Sequence, residues 1–146
     1  MTRRQRQTDR HLAATFCVNA RSFHEMARRQ RDRHIGTSAY YLAIAIELSL
    51  KAYLLHRGIT DQWNRVHLRH DLTKALRCVR LAGLEGIPDG IREMADLLGP
   101  LYASGVLSRA LASPIMPLPP ATADRAIAEL LTTVETIIAD RKRGCG

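Results

Sequence analysis

Apolar residues recur along most of the chain at intervals of three and four positions, the spacing that lines one face of an α-helix. No stretch shows the strict apolar–polar alternation that is typical of a half-buried β-strand. The periodicity therefore predicts an all-α fold, a five-helix up-and-down bundle. Its helices are expected at about residues 8–34, 37–57, 71–82, 88–102 and 122–143.

Capping and helix-breaking residues predict where these helices begin and end. The candidate first residues or N-caps are Thr8 or Asp9, Thr37 or Ser38, Asp71, Pro88 and Thr122. The candidate stops or kinks are Gly36, Gly58, Gly83, Pro100 and Gly144. Four prolines between positions 114 and 120 predict a proline-rich loop before the last helix.

The second predicted helix is apolar on almost every side between Tyr40 and Leu55, so we expect it to be the central, buried element. Two of its few polar residues, Glu47 and Lys51, are four positions apart and in the favourable order for a helical ion pair. One interpretation is a structural ion pair inside the bundle. The other is that the two side chains orient a polar centre with a function.

A length of 146 residues suits one domain, which we expect to span residues 1–146 with flexible ends at 1–10 and 141–146. Three cysteines without motif spacing favour a reducing, cytoplasmic environment. The basic N-terminus is not followed by the apolar run of a signal peptide. No uncharged stretch is long enough to span a membrane, so we expect no membrane partner.

Arginine dominates the charge of the chain, which has 22 Lys and Arg against 14 Asp and Glu and a formal net charge of +8. The excess is concentrated in the first 33 residues, where nine arginines accompany three acids. The patch Arg28, Arg29, Arg31 and Arg33 predicts binding of a polyanion, with nucleic acid the first choice. The alternative is a basic surface that is merely solvated.

The densest cluster of functional residue types lies between Arg65 and Asp71. His67 and His70 lack a third ligand at a matching spacing, so we predict no metal site and no cofactor. Arg65 and His70 suit RNA cleavage, because histidine can transfer a 2′-hydroxyl proton and arginine can stabilise the charge on phosphorus. Asp71 is explained most simply as a helix cap.

The stretch 45–55, followed by Gly58 and by His-Asp-Leu at 70–72, resembles the HEPN family (higher eukaryotes and prokaryotes nucleotide-binding domains). That family shows a helix reading roughly Glu-Leu-x-Leu-Lys-Ala-x-Leu-Leu, a loop with glycine, and His-Asp-Leu opening the next helix. Here the helix reads Glu-Leu-Ser-Leu-Lys-Ala-Tyr-Leu-Leu from position 47. The five-helix pattern extends the resemblance over most of the chain.

The resemblance implies a bundle of HEPN type, homodimerisation, and association with RNA or nucleotides. Many members are metal-independent endoribonucleases of toxin–antitoxin or defence systems, often with a nucleotidyltransferase antitoxin as partner. Their active motif is an Arg followed four to six residues later by His, usually near the fourth helix. In the corresponding region here, Arg109 has no His in reach, whereas Arg65 and His70 lie earlier in the chain.

Three hypotheses account for these features. The first is a cytoplasmic, homodimeric HEPN-like module that binds RNA, a nucleotide or a protein partner in a toxin–antitoxin or defence context. The second is a metal-independent endoribonuclease that uses Arg65 and His70, with Glu47, Lys51 and Asp71 supporting the pair. The third is a structural helical adaptor.

Overall fold

The computed structural model describes residues 2–109 and 114–143, and all regular secondary structure within them is helical. The all-α prediction is therefore confirmed. In chain order the helices are α1 (Arg3–Gln30), α2 (Ile35–His56), α3 (Asp61–Trp63) with the adjoining π-helical turn Asn64–Leu68, α4 (Leu72–Leu81), α5 (Ile91–Ala103) and α6 (Pro120–Arg143).

Helix α1 begins earlier than its apolar stripe predicted. Thr2, rather than Thr8 or Asp9, is the N-cap, and its Oγ1 accepts a hydrogen bond from the backbone N–H of Gln5 at 3.1 Å. Residues 3–10, which were expected to be flexible, form the first two turns of the helix. Arginine and glutamine have high helix propensity, so a capped polar run extends a helix that apolar periodicity alone does not reveal.

The connection between α1 and α2 covers residues 31–34, earlier in the chain than predicted, because α1 ends at Gln30 and α2 begins at Ile35. Gly36 does not break the helical pattern, because it lies in the first turn of α2 after the N-cap residue His34. The prediction of Thr37 or Ser38 as the cap is therefore wrong. The hydroxyl of Ser38 instead donates to the backbone carbonyl of Ala27 at 2.7 Å, which joins the start of α2 to the end of α1.

Helix α2 is the central element, as its apolar surface predicted. It packs against α1, α4, α5 and α6, and 15 of its 22 residues are buried. By length and composition α2 could cross a membrane, but 78% of its most apolar 18-residue window is buried inside the protein. The core helix of a soluble protein passes the same test, and this burial is typical of one.

The connection from α2 to α4 is helical where a polar loop was expected. The hydroxyl of Thr60 accepts a hydrogen bond from the backbone N–H of Trp63 at 3.1 Å and so caps α3. The chain then widens into the π-helical turn, a form found frequently at functional sites. The ring of Trp63 lies 4.8 Å from that of His67, which is thus engaged in an aromatic contact.

Helices α4 and α5 follow. Asp71 caps α4 as predicted, because its carboxylate accepts a hydrogen bond from the backbone N–H of Lys74 at 2.9 Å. Helix α5 begins after Gly90, whose φ is 95°, and not at Pro88. It does not end at Pro100, one of the two outcomes predicted for that proline, since a proline in the last turn removes only one backbone hydrogen bond of the helix.

Helix α6 begins at Pro120, two residues before the predicted cap Thr122, because proline is well tolerated at the first helical position. Residues 114–119 have no regular helix, in agreement with the predicted proline-rich loop. The predicted stop at Gly144 lies outside the described residues, as does the segment 110–113.

Candidate functional site

A network of polar side chains lies where α2, α5 and the turn before α4 meet. Its centre is the carboxylate of Glu47, which is only 6% exposed. Lys51 donates from Nζ to Glu47 Oε1 at 2.5 Å. The hydroxyl of Tyr102 donates to Glu47 Oε2, and Nδ1 of His70 lies 3.1 Å from Oε1. We call these four residues the His70 site.

His70 is the member of this site that reaches solvent, with 58% of its side chain exposed. Its ring packs at 4.8 Å and 58° against that of Tyr102. A carboxylate can only accept hydrogen bonds, so Nδ1 of His70 carries the proton in its contact with Glu47. The other ring nitrogen, Nε2, is thereby left as an acceptor in the neutral ring, available to a substrate.

Tyr102 supports the same carboxylate from α5. Burial, and secondly the negative charge of Glu47, raise the pKa of Tyr102 far above its usual range. The phenol therefore stays protonated at every physiological pH and acts only as a donor to Glu47. Together with Lys51 it fixes the carboxylate, which in turn fixes the plane of the imidazole.

The backbone before His70 is held in an unusual conformation. Leu68 and Asp71 are joined by a backbone hydrogen bond of 2.9 Å, which closes a β-turn with Arg69 and His70 in the middle. Arg69 has φ 49° and ψ −118°, close to the first central position of a type II′ turn, which favours glycine. Among the described residues it is the one non-glycine residue with positive φ.

Lys51 connects this turn to the buried network. Besides its contact with Glu47, its Nζ donates to the backbone carbonyl of Arg69 at 2.7 Å. One buried ammonium therefore holds both the carboxylate that orients His70 and the peptide that precedes it. The two residues that helical spacing singled out on α2, Glu47 and Lys51, are brought together here with His70.

The other predicted members of the site have separate contacts. The guanidinium of Arg65 is 2.8 Å from the carboxylate of Asp61; the Arg65 side chain is 78% exposed and that of Asp61 19%. Asp71 is engaged as the cap of α4. The structure thus joins His70 to Glu47 and Lys51, and gives Arg65 a partner of its own.

The four arginines predicted to bind nucleic acid divide into two kinds. Arg31 donates to Asp124 of α6, Nε of Arg28 lies 3.7 Å from the same carboxylate, and Nε2 of His24 lies 3.2 Å from it. We call His24, Arg28, Arg31 and Asp124 the Asp124 cluster. Arg29 pairs with the exposed Glu25, its Nε lying 3.5 Å from that carboxylate, and Arg33 is exposed. Two of the four arginines, Arg28 and Arg31, thus join α1 to α6.

Sequence reasoning missed Tyr102 and the conformation of Arg69. Tyr102 lies at the end of the fourth predicted helix, and nothing local indicated that its hydroxyl meets a carboxylate 55 positions away. The neighbouring positions of Arg69 and His70 likewise gave no sign of a turn that favours glycine. The signals that pointed to this region were the Glu47–Lys51 spacing on α2 and the cluster of functional residue types from Arg65 to Asp71.

The geometry of the His70 site can support two kinds of chemistry. An imidazole oriented by a carboxylate can transfer protons at neutral pH. The exposed arginines that precede it in the chain, Arg65 and Arg69, can contact phosphate oxygens. Comparison with known proteins adds nothing to this picture, since no family model, curated protein or solved structure matches the chain.

Proposed function

We propose that this protein is a cytoplasmic module of HEPN type, whose five longer helices form an up-and-down bundle beside the short α3, and that it binds RNA at the His70 site. The observation that carries the proposal is an exposed histidine fixed by a buried carboxylate, next to a strained arginine. Three buried or partly buried groups hold one exposed ring, whereas a histidine that only fills space needs no such support. Outlying backbone geometry also clusters at functional sites.

The charge distribution supports an anionic ligand. The formal net charge is +8, and Arg65, Arg69 and Lys74 surround His70 in the chain. A positive surface attracts polyanions and accelerates their association. The resemblance to the HEPN family adds RNA or a nucleotide as the ligand class, a toxin–antitoxin or defence context, and a nucleotidyltransferase antitoxin as the protein partner.

Two matched substitutions test where RNA binds. Val66, in the π-helical turn four positions before His70, is 56% exposed, and Val18 on α1 is 65% exposed. Val66→Glu should weaken binding of a fluorescent single-stranded RNA at least tenfold by charge repulsion. Val18→Glu should leave the affinity within about twofold. The opposite result would place RNA on α1 and overturn the proposal.

A second candidate function is metal-independent RNA cleavage, and the hydrogen bond between Glu47 and His70 favours it. His70 Nε2 would accept the proton of the 2′-hydroxyl while that oxygen attacks phosphorus and the bond to the 5′-oxygen breaks. The leaving oxygen takes up a proton, which gives a 2′,3′-cyclic phosphate and a 5′-hydroxyl. Arg65 or another nearby cation would stabilise the charge on phosphorus.

Cleavage is tested by incubating wild type, Arg65→Ala and His70→Ala with structured and unstructured RNA, with circular dichroism as the folding control. A positioned acid–base group contributes about 10²–10⁴-fold, so His70→Ala should lose most of the activity. A chelator should have no effect. Cleavage that survives in folded His70→Ala would contradict this second function.

Homodimerisation belongs to the same proposal. Leu81 at the end of α4 and Ile115 in the loop before α6 are 82% and 90% exposed, and we expect contact between two subunits to cover them. Light scattering at micromolar concentration should give twice the chain mass of 16.4 kDa. A monomer at high concentration would exclude any site shared between subunits.

A further inference from the structure

The conformation of Arg69 is maintained from within the core. A non-glycine residue at φ 49° and ψ −118° is strained, because its Cβ crowds the neighbouring peptide. The buried Nζ of Lys51 nevertheless holds the Arg69 carbonyl at 2.7 Å, and the turn closes through a second hydrogen bond from Asp71 to Leu68. Glycine would satisfy the same backbone without strain, so the presence of an arginine side chain calls for another reason.

The side chain of Arg69 differs from those of Arg65 and Lys74 in its hydrogen-bonding partners. It is exposed, and its guanidinium makes no hydrogen bond or ion pair with any residue in 2–109 or 114–140. By contrast, Arg65 pairs with Asp61, and Lys74 donates to the backbone carbonyl of His67 at 2.8 Å. Of these three cations near His70, Arg69 is the one whose donors are all available.

The places of Arg69 and Arg65 in the chain support the same distinction between them. Arg69 and His70 are the two central residues of one β-turn, and that turn is attached by Lys51 to the carboxylate that orients His70. A phosphate bound by a residue of this turn therefore has a fixed position relative to the imidazole of His70. Arg65 lies in the π-helical turn, and an ion pair restrains it there.

We infer that Arg69, rather than Arg65, is the residue that binds the substrate phosphate at the His70 site. The inference rests on the proposed function and names the phosphodiester group of RNA as what this residue contacts. The guanidinium forks onto two phosphate oxygens, and the turn fixes the backbone of Arg69 directly before that of His70. Lys51 acts as a positioning residue, through the Arg69 carbonyl.

The experiment measures the affinity of a fluorescent single-stranded RNA across a salt series for wild type and matched single-charge variants. Arg69→Gln should lower the affinity at least about tenfold, because a hydrogen-bonded charge pair is removed. The slope of log affinity against log salt should fall in magnitude by about 0.7. Arg65→Gln, and Arg125→Gln on α6 as a remote control, should change the affinity less than threefold.

Two further variants separate the guanidinium from the backbone. Arg69→Gly relieves the turn and should stay folded, yet it should lose as much affinity as Arg69→Gln. Arg69→Lys keeps the charge without the fork and should fall between wild type and glutamine. If Arg69→Gly instead binds RNA like wild type, the turn and not the guanidinium matters, and the inference is wrong.

The outcomes distinguish this inference from the proposed function. RNA binding by wild type that survives Arg69→Gln but is abolished in Arg65→Gln overturns the role of Arg69 and leaves RNA binding at the site intact. If Arg69→Gln and Arg65→Gln both retain RNA binding while Val18→Glu loses it, the RNA binds on α1. Both the inference and the proposed function are then overturned. If the wild-type protein neither binds RNA nor cross-links to phosphorothioate RNA, the proposed function itself is overturned.

Discussion

The protein contains two clusters with nearly the same ingredients, a carboxylate contacted by a histidine and by cations. In the Asp124 cluster the side chain of His24 is 9% exposed, and the contacts join α1 to α6. In the His70 site the carboxylate is buried, but the histidine side chain is 58% exposed. In the first arrangement the histidine is turned inward and the arginines reach solvent, with Arg28 56% and Arg31 30% exposed. In the second arrangement the histidine itself is presented to solvent.

Backbone geometry divides the two clusters in the same way. The residues of the Asp124 cluster lie on the regular helices α1 and α6 or in the turn that ends α1. The His70 site includes a turn in which an arginine occupies a conformation that favours glycine. Residue types alone therefore do not identify a functional site. Exposure of the titratable group and strain beside it separate the two cases, and substitutions in each cluster can test that separation.

The largest effect should come from removing the centre of the His70 site. Glu47→Leu leaves the ammonium of Lys51 buried without a counter-charge, and we expect the free energy of unfolding to fall by about 3–5 kcal/mol. Urea denaturation measures this loss. Glu47→Gln is the milder control, since the amide oxygen still accepts hydrogen bonds. A loss below about 1 kcal/mol in Glu47→Leu would show that Lys51 is solvated and not held.

The Asp124 cluster should affect stability alone. Asp124→Ala removes the acceptor shared by Arg31 and His24, and we expect a loss of about 1–2 kcal/mol in the free energy of unfolding. RNA affinity measured on the folded variant should be unchanged. A variant that loses RNA affinity while its free energy of unfolding is unchanged would contradict the assignment of the Asp124 cluster to stability alone.

Relief of strain at the His70 site should stabilise the fold. Arg69→Gly removes a Cβ from a positive-φ position, and we expect a gain of about 1 kcal/mol after allowing for the greater flexibility of the unfolded chain. Thermal unfolding measures the gain as a rise of a few degrees in Tm. Arg65→Gly is the matched control and should destabilise, because it lies in helical structure. A destabilised Arg69→Gly would mean that the turn is not strained.

The smallest effect concerns the basic patch of α1. The double variant Arg29→Gln and Arg33→Gln should leave the Tm unchanged. It should lower the magnitude of the salt slope of RNA binding by about 0.7 for each phosphate that these arginines neutralise. Arg28→Gln with Arg31→Gln carries the same charge change but disrupts the Asp124 cluster, and it should lower the Tm. Equal Tm values for the two double variants would contradict the assignment of Arg28 and Arg31 to a structural role.

The features that were predictable are those set by residues close in sequence. The central position of α2, the pairing of Glu47 with Lys51 and the cap at Asp71 all follow from spacings of three or four residues on a helix. The helix starts at Arg3 and Ile35 were missed because local polar residues obscured them, although the elements themselves were correct.

The features that were not predictable depend on contacts between distant parts of the chain. Tyr102 reaches Glu47 from α5, and Lys51 stabilises a conformation of Arg69 that its own sequence neighbours disfavour. The commitment of Arg28 and Arg31 to Asp124 likewise depends on α6 packing against α1. A basic run looks the same in the sequence whether its charges are free or paired.

The most direct test of the central claim compares the two histidines during RNA binding. Imidazole signals of His24 and His70, assigned by substitution, are followed by NMR as single-stranded RNA is added. Binding at the His70 site predicts that the ring signals of His70 shift and saturate with the anisotropy curve, while those of His24 stay in place. Shifts at His24 with His70 unmoved would contradict the claim and place RNA on the Asp124 side of the molecule.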